Sequence, residues 1–404
     1  MKKTFLLSCL MLAAMPVMAA YTGHVYVDKN KNGVFDQSEK PLAGIKVSDG
    51  LNVVETAADG SFTLPGHERE RFIFITTPSG YKTFNRHYHK IEKKQSGYDF
   101  GLIPYSGRIR KNGSHRYIHI ADTEIFNTEN HADWVNNVRD YARNEQAAFI
   151  IHTGDICYEK GLKAHIKLMN TENMDCPVFY CIGNHDLVKG KYGEELFESI
   201  YGPVYYSFDA GNVHYVVTPM PGGDHAPGYT SDDVCRWLKN DLAHIRPGTP
   251  VVVFNHDLLT YEDTFIFKSK NAGSINLNEY NLKAWVYGHW HINYMKKQGD
   301  VYSVCTSSLD KGGIDHSTTA FRVMHVDSKG DFTSELRYTY LDKNICIASP
   351  AGVMASGVLP VAVNVYSSVS PVREVLYTCL ADGKPVLKNK RLLQSTDWSW
   401  NGEL

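Results

Sequence analysis

The sequence predicts an α/β core flanked by two small β-modules. Five apolar, strand-like runs between residues 116 and 287 each end in Asp, Asn or His. Most of them lie about thirty residues apart, which is the length of a βα unit, and helix-like segments such as Glu129–Glu145 and Ser231–Ile245 separate them. Before and after this region, short segments alternate apolar and polar residues between turns, which is typical of antiparallel strands.

Residues 1–20 predict a secretory signal peptide. Two lysines precede the apolar stretch Phe5–Met15, and Ala19 and Ala20 suit cleavage. This stretch is too short to span a bilayer, and no later run of about eighteen apolar residues follows, so we expect no stable membrane insertion. Cys9 comes before a full hydrophobic region has passed, which makes a lipoprotein anchor the less favoured alternative. We therefore expect a secreted or periplasmic protein.

Residues 21–105 predict a small antiparallel β-sandwich with a calcium loop. The segment 28–39 matches the twelve-residue calcium pattern, with Gly33 at the sixth position. The predicted ligands are Asp28, Asn30, Asn32, Val34 through its carbonyl, Asp36 and Glu39. A polar hairpin rich in Asn and Gly is the alternative. The agreement in register favours calcium, in a structural role and with modest affinity because the loop has three carboxylates.

Residues 112–340, after a polar linker over 106–115, contain the residues with chemical function. Each strand-like run is followed by polar side chains: Asp122 and Glu124, then Asp155, then Asn184 and His185, then His256, and last His289 and His291. Because open α/β sheets bind their ligands at the carboxyl ends of strands, we expect these side chains to meet. Asp, Asn and His without Cys suit Mn, Fe or Zn and disfavour a thiolate-rich structural zinc site.

The order of these motifs resembles the calcineurin-like metallophosphoesterase superfamily over roughly residues 116–337. The resemblance implies a four-layer αββα sandwich and two divalent metals that hydrolyse a phosphomonoester or a phosphodiester. It implies a metal-bridging hydroxide as the nucleophile and His185 as the general acid that protonates the leaving group. Residues 21–105 resemble the prealbumin-like modules that precede secreted phosphoesterase domains.

The resemblance also implies a role for each metal ligand. Asp155 would bridge the two metals. The remaining ligands divide between the two sites, with Asp122 and His291 on the first metal, and with Asn184, His256 and His289 on the second.

Two positions depart from the family pattern. The family usually has His or Gln where this chain has Glu124, so a carboxylate either binds the first metal, favouring Mn, or does not ligate. The family often has Gly-Asp-x-x-Asp, whose second Asp orients the catalytic histidine, and Tyr158 stands there, with Glu159 as a second substitute. We expect Tyr158, together with His225 and His316 on two glycine-containing loops, to contact the substrate.

Composition and the C-terminus limit the remaining functions. The formal charge of −2 provides no basic field, which argues against a nucleic-acid partner and leaves a small phosphorylated substrate. Residues 345–404 predict a C-terminal β-module of two or three strands. Related proteins commonly carry a fuller domain, so we expect a shortened one, either natural or from a truncated gene model. The alternative to an enzyme is a calcium-stabilised secreted binding module with a catalytically weak phosphoesterase fold. The sequence does not predict the oligomeric state.

Overall fold

The computed structural model describes residues 20–95, 97–341, 343–352 and 357–404. Residues 1–19, which carry the predicted signal peptide, lie outside the described residues. Among the residues described, no helix combines the length and the apolarity needed to cross a membrane.

The N-terminal module contains nine strands in two sheets. They are β1 (Tyr21–Val27), β2 (Lys40–Pro41), β3 (Lys46–Ser48), β4 (Val53–Glu55), β5 (Ser61–Leu64), β6 (Phe72–Ile75), β7 (Tyr81–Thr83), β8 (Tyr88–Lys90) and β9 (Phe100–Pro104). One sheet has the order β2-β1-β9-β7, with β5 also on β1, and the other has the order β4-β3-β6-β8. Both sheets contribute to one apolar core that includes Val25, Val47, Ile75 and Leu102. The β1–β9 pair is parallel, so the module departs from the antiparallel pairing expected for all its strands.

The core contains thirteen strands and four α-helices among its described residues. The strands are β10 (His115–Ile120), β11 (Phe149–His152), β12 (Val178–Tyr180), β13 (Tyr206–Ala210), β14 (Val213–Val217), β15 (Val251–Phe254), β16 (Ile266–Lys268), β17 (Ser274–Asn276), β18 (Leu282–Tyr287), β19 (Tyr294–Gln298), β20 (Val301–Cys305), β21 (Ala320–Val326) and β22 (Phe332–Tyr338). The helices are α1 (Ala132–Asn144), α2 (Tyr158–Leu168), α3 (Glu195–Tyr201) and α4 (Ser231–Ala243). Short 3-10 helices span Ser106–Arg108, Asn184–Asp186 and Leu277–Tyr280.

Two mixed sheets form the centre of the core. The first has the order β12-β11-β10-β21-β22 and the second has the order β13-β14-β15-β18-β20-β19. Alternation along β10 places Tyr117 in the aromatic cluster that joins both sheets, while its neighbour Ile118 packs with Trp134 of α1 and Leu162 of α2. Helix α4 packs Trp237 against the residues of the second sheet. The layers are therefore helix, sheet, sheet and helix, and the predicted αββα fold class is confirmed.

The C-terminal module is small and rests on the core. Its strands are β23 (Asn344–Ser349), β24 (Pro360–Tyr366), β25 (Leu376–Ala381), β26 (Lys384–Arg391), β27 (Leu393–Gln394) and β28 (Ser399–Glu403), which is more than the two or three strands expected. They form a sheet, β23-β24-β28-β27, and a β25–β26 hairpin. Arg373 donates to Glu145 of the core at 2.6 and 2.8 Å, and Trp398 stacks on Tyr338.

The N-terminal module is fixed to the core by a largely buried ion network. Arg71 lies 2.7 Å from Glu194 and 2.9 Å from Glu198, and the Glu194 side chain is fully buried. Glu194 also accepts the backbone N–H of Gly228 at 2.9 Å. The network therefore anchors the loop 221–228, which reaches the site described next.

Candidate metal centre

The predicted ligands converge where the carboxyl ends of β10, β11, β12, β15 and β18 meet. Backbone contacts join the loops that follow these strands, since the Asp122 N–H donates to the Gly154 carbonyl at 3.0 Å and the Gly288 N–H donates to the His256 carbonyl at 3.0 Å. Asp122, Asp155 and His256 are buried, and the other predicted ligands, Glu124, Asn184, His289 and His291, are partly buried.

The backbone is left-handed at most of these positions. The φ angles are 52° at Asp122, 46° at Glu124, 55° at Asp155, 65° at His289 and 50° at His291. Residues other than glycine rarely adopt this backbone conformation, and those that do are concentrated at functional sites. Each loop therefore turns sharply at the point where its strand ends, which brings several polar side chains to one place.

Four of the ligands are in direct contact. The His256 Nε2 atom lies 3.2 Å from Asp155 Oδ2 and 4.0 Å from Asp122 Oδ1, and His291 Nε2 lies 3.3 Å from Asp122 Oδ1. Asp155, His256 and His289 each offer a ligand atom within 4.8 Å of the others. At the other side of its ring, His256 Nδ1–H donates to the Thr153 carbonyl at 2.7 Å. That bond fixes the tautomer that leaves Nε2 free for a metal.

The donor atoms fit divalent metals. Asn184 Oδ1 is buried without a hydrogen-bond partner among the described residues, and His256 Nε2 is buried facing the Asp155 carboxylate at 3.2 Å. An unsatisfied buried polar atom is expensive, and a metal ion would satisfy it. The set of carboxylate, amide and imidazole donors suits a borderline-hard cation.

Without a metal, the carboxylates hold a proton on His256. Burial lowers the pKa of His256, but the adjacent carboxylates of Asp155 and Asp122 outweigh burial and raise the pKa to about 10. Burial raises the pKa of Asp122. Burial also opposes ionisation of Asp155, yet the contact with His256 brings the Asp155 pKa below its ordinary value. A cation would therefore replace a proton at this site.

Asp186 is a buried carboxylate of the site for which the sequence motifs predicted no role. Its Oδ2 accepts the N–H groups of Asp155 and Gly183, both at 2.9 Å, and its Oδ1 accepts the N–H of Cys157 at 2.8 Å. The side chain is buried, and burial together with the charge of Asp155 raises the pKa of Asp186 to about 7. Asp186 thus ties the Asp155 loop to the turn that carries Asn184. Glycine is required in this turn, because a Cβ on Gly183 would collide with Asp155.

His185 lies at the rim of the centre, and Asp224 orients it. The His185 N–H donates to Asp155 Oδ1 at 3.0 Å, and His185 Nδ1–H donates to Asp224 Oδ2 at 2.9 Å. Burial lowers the pKa of His185, but the hydrogen bond that its ring donates to Asp224 and the charge of Asp155 raise the pKa overall.

The two substitutes considered for the orienting carboxylate have other contacts. The ring of Tyr158 packs 5.2 Å from that of His185, while Glu159 pairs with Lys163 at 2.5 Å. The sequence could not identify Asp224 as the orienting residue, because it lies 39 residues from His185 on a different loop.

Glu124 is shared between the centre and a lysine. One oxygen of Glu124 lies 3.4 Å from His291 Nε2, and the other forms a short ion pair with Lys311 Nζ. The carboxylate therefore lies next to the predicted first-metal residues with its charge compensated. Two other predicted substrate contacts are exposed: His225 adjoins Asp224, and His316 lies in a loop whose Ile314 N–H donates to the His291 carbonyl at 2.9 Å.

The predicted calcium loop closes on its own acidic residues. Asn30 and Asn32 each donate a side-chain N–H to Asp36 Oδ2, at 2.8 and 3.0 Å. The buried Asp28 accepts the Gly33 N–H at 2.9 Å, and the buried Glu39 accepts the Lys29 N–H at 2.8 Å. Of the predicted ligands, Asn30, Asn32 and Val34 are exposed.

Comparisons with known proteins agree with this geometry. The family model described as "Calcineurin-like phosphoesterase" matches residues 115–293, and that described as "N terminal of Calcineurin-like phosphoesterase" matches residues 29–104. "Purple acid phosphatase 13" of Arabidopsis thaliana is 26% identical over 215 residues, which are 50% of this chain and 36% of that protein. The chain thus spans about a third of the length of this curated relative.

Two solved structures with low TM-scores are also similar. An archaeal phosphodiesterase has 13% identity and a TM-score of 0.28, over 55% of this chain and 99% of that one. A putative 5′-nucleotidase from Staphylococcus aureus has 13% identity and a TM-score of 0.34, over 56% and 54%. The two family models together match more than half of the chain, and the longer match includes every residue from Asp122 to His291. This chain belongs to the calcineurin-like phosphoesterases.

Proposed function

We propose that this protein hydrolyses small phosphomonoesters or phosphodiesters with a dinuclear metal centre and with His185 as the general acid. The observation that carries the proposal is the buried convergence of His256, Asp155 and Asp122 within 4.0 Å, beside Asn184 Oδ1, which is buried without a hydrogen-bond partner among the described residues. A core this polar is unfavourable unless a cation compensates it.

The residues divide the work as follows. Asp155 would bridge two divalent metals, Mn, Fe or Zn, with Asp122 and His291 at the first, and with Asn184, His256 and His289 at the second. When bound, the metals would supply charge that stabilises the phosphoryl oxygens and activates a water as the nucleophile. Glu124, compensated by Lys311, would adjust the charge at the first site.

His185 would supply the proton for the leaving group. Asp224 accepts the Nδ1–H of His185, which holds the ring in place and leaves Nε2–H as the transferable proton. Asp224 and Asp155 also favour the protonated ring. The scissile P–O bond breaks as the water oxygen bonds to phosphorus, and the proton passes from His185 to the departing oxygen.

The test is hydrolysis by the Mn-loaded protein with His185→Ala and with His244→Ala as a matched exposed-histidine control. A poor leaving group needs a proton and p-nitrophenolate does not. We therefore expect His185→Ala to lose about 100-fold or more on a ribose phosphate and much less on p-nitrophenyl phosphate. Equal losses on both esters would contradict the acid role. The rate ratio of p-nitrophenyl phosphate to its bis-ester assigns monoesterase or diesterase activity.

We further propose that residues 28–39 bind calcium as a structural brace. The convergence of Asn30 and Asn32 on Asp36, with Asp28 and Glu39 buried at the ends, supports this. Calorimetric titration with calcium should show one site that Asp36→Ala abolishes and that Asp59→Ala, in another turn, retains. A titration without heat in the intact protein would contradict it.

Export is also part of the proposal. The segment 1–20 supports a secreted or periplasmic location, and extracellular calcium would suit a modest-affinity loop. Mass spectrometry of the expressed protein would find a mature N-terminus near residue 20 or 21, and a retained Met1 would contradict export.

A further inference from the structure

Exposed apolar side chains of the core are concentrated around the metal centre. In the described part of residues 112–340, the large exposed apolar residues are Phe126, Tyr158, Tyr261, Met295, Ile314 and Tyr340. The first four follow a predicted metal ligand by two to five residues, and Ile314 hydrogen-bonds to the His291 backbone. Single exposed apolar residues are ordinary on a surface, but a group of them around one ionic site calls for a reason.

Two of these residues form an exposed aromatic platform. The rings of Phe126 and Tyr158 are 53% and 44% exposed, lie 6.3 Å apart and are inclined by 13°. Tyr158 also lies 5.2 Å from the ring of His185. Lys311 Nζ lies 6.0 Å from the centre of the Phe126 ring and pairs with Glu124. The platform is therefore adjacent to both the proton donor and the first-metal residues.

A second stacked pair includes a residue of the turn that carries His289 and His291. Tyr261, 73% exposed, lies 5.8 Å from the ring of Trp290 at 25°. Trp290 stands between the ligands His289 and His291, and its indole N–H donates to Asp257 at 3.1 Å. A stacked aromatic pair thus adjoins two of the turns that carry predicted metal ligands.

We propose that the Phe126–Tyr158 platform binds the leaving group, and that the substrates are phosphoesters whose leaving group carries a planar aromatic ring. The inference rests on the proposed function, because the role of His185 decides on which side the leaving group departs. His185 protonates the departing oxygen, so the leaving group emerges beside His185, and Tyr158 is the ring in contact with His185. Stacking on aromatic side chains contributes about tenfold or more in affinity per ring.

Two kinds of leaving group carry a planar ring, a nucleoside and a simple aryl group. One comparison measures the contribution of the ring alone. Adenosine 5′-monophosphate and ribose 5-phosphate share the same departing alkoxide and differ in the base. We expect the Mn-loaded protein to have about a tenfold higher kcat/KM for the nucleotide. Activity on p-nitrophenyl phosphate that is equally sensitive to substitution at Phe126 would extend the class to aryl esters, and insensitivity there would limit it to nucleosides.

Two substitutions at one position separate a ring from apolar bulk. Phe126→Leu keeps the volume and loses the planar face, and should remove most of the preference for the nucleotide. Phe126→Tyr keeps the face and should retain the preference. A preference that survives Phe126→Leu, or a decyl phosphate that outcompetes both other esters, would overturn the inference.

Binding of the leaving-group product separates this inference from the proposed function. Adenosine should bind the metal-free protein in calorimetry, ribose should not, and Phe126→Leu should weaken adenosine about tenfold. If no ester is hydrolysed but this pattern holds, the catalytic proposal fails and the aromatic platform stands. If esters are hydrolysed without any discrimination by the base and adenosine does not bind, the platform inference fails alone.

Discussion

Replacing Asp186 with alanine should loosen the metal centre without removing a ligand. The carboxylate accepts three backbone N–H groups, those of Asp155, Cys157 and Gly183, at 2.8–2.9 Å. Each buried N–H left unsatisfied destabilises the fold by about 1–3 kcal/mol. Water entering the vacated space would offset part of this destabilisation, and loss of the repulsion between Asp186 and Asp155 would offset a further part. We expect a net destabilisation of about 3–4 kcal/mol.

Two measurements test this estimate. For a domain of this size, about 3–4 kcal/mol lowers Tm by roughly 6–16 °C. Scanning calorimetry of the metal-free protein gives that value. Because Asp186 holds the Asp155 loop and the Asn184 turn together, the affinity for Mn should also fall by about 10–100-fold, as it does when outer partners of metal ligands are removed.

The matched control is Asp224→Ala. Asp224 is half exposed and its side chain bonds to the His185 ring, so its removal should change Tm by no more than about 2–4 °C. If Asp186→Ala unfolds at the same temperature as Asp224→Ala and binds Mn like the wild type, the role given to Asp186 is wrong.

Three further predictions concern charge at the centre and at the module interface. Lys311→Met frees Glu124 for the first metal, so calorimetry should show several-fold tighter Mn binding, and this gain should be absent in a Glu124→Gln background. The pKa of His256 is about 10 in the metal-free fold against 6.5 ordinarily, so the stabilisation it gives below pH 6.5 is lost as the pH rises toward 10. Tm of the metal-free protein should fall over that range, while metal affinity measured alongside should rise. Arg71→Met leaves Glu194 as an unpaired buried charge, which should destabilise the fold by about 3–5 kcal/mol and lower kcat by loosening the Asp224 loop, whereas Arg71→Lys should lose less of both.

The sequence predicted the α/β class of the core because its strands have unambiguous endings, whereas the four-layer arrangement was implied by the family resemblance. Each apolar run stops at a polar turn, and buried parallel strands read as continuous apolar segments. Helix α4 begins at Ser231 as predicted, and there the Thr230 hydroxyl oxygen accepts the Asp233 N–H while Asp233 accepts the Thr230 N–H. Helix α2 was not predicted, because Tyr158 and Glu159 at its start were interpreted as part of the Gly-Asp-x-x-Asp motif.

Contacts between distant loops could not be predicted from the sequence. Asp224 orients His185 from a glycine-rich loop, and Lys311 neutralises Glu124 from 187 residues away. Neither pair has a spacing rule, because each depends on how two loops of different strands fold over the same edge. The role of Asp186 was missed although it lies close in sequence to the site. Aspartate is common in turns, so a carboxylate directly after Asn184 and His185 resembles an ordinary turn residue.

The left-handed backbone at Asp122, Asp155, His289 and His291 restricts which variants this protein tolerates. Asparagine and glycine adopt that conformation readily, and β-branched residues do so with difficulty. In a saturation library selected only for folding, we expect Asn and Gly to be enriched at these four sites and Val, Ile and Thr to be depleted. Such a library would separate the demands of the chain path from those of the metal, since Asn keeps the turn while removing the charge. Asn variants at these sites that no longer bind metal should therefore be well folded.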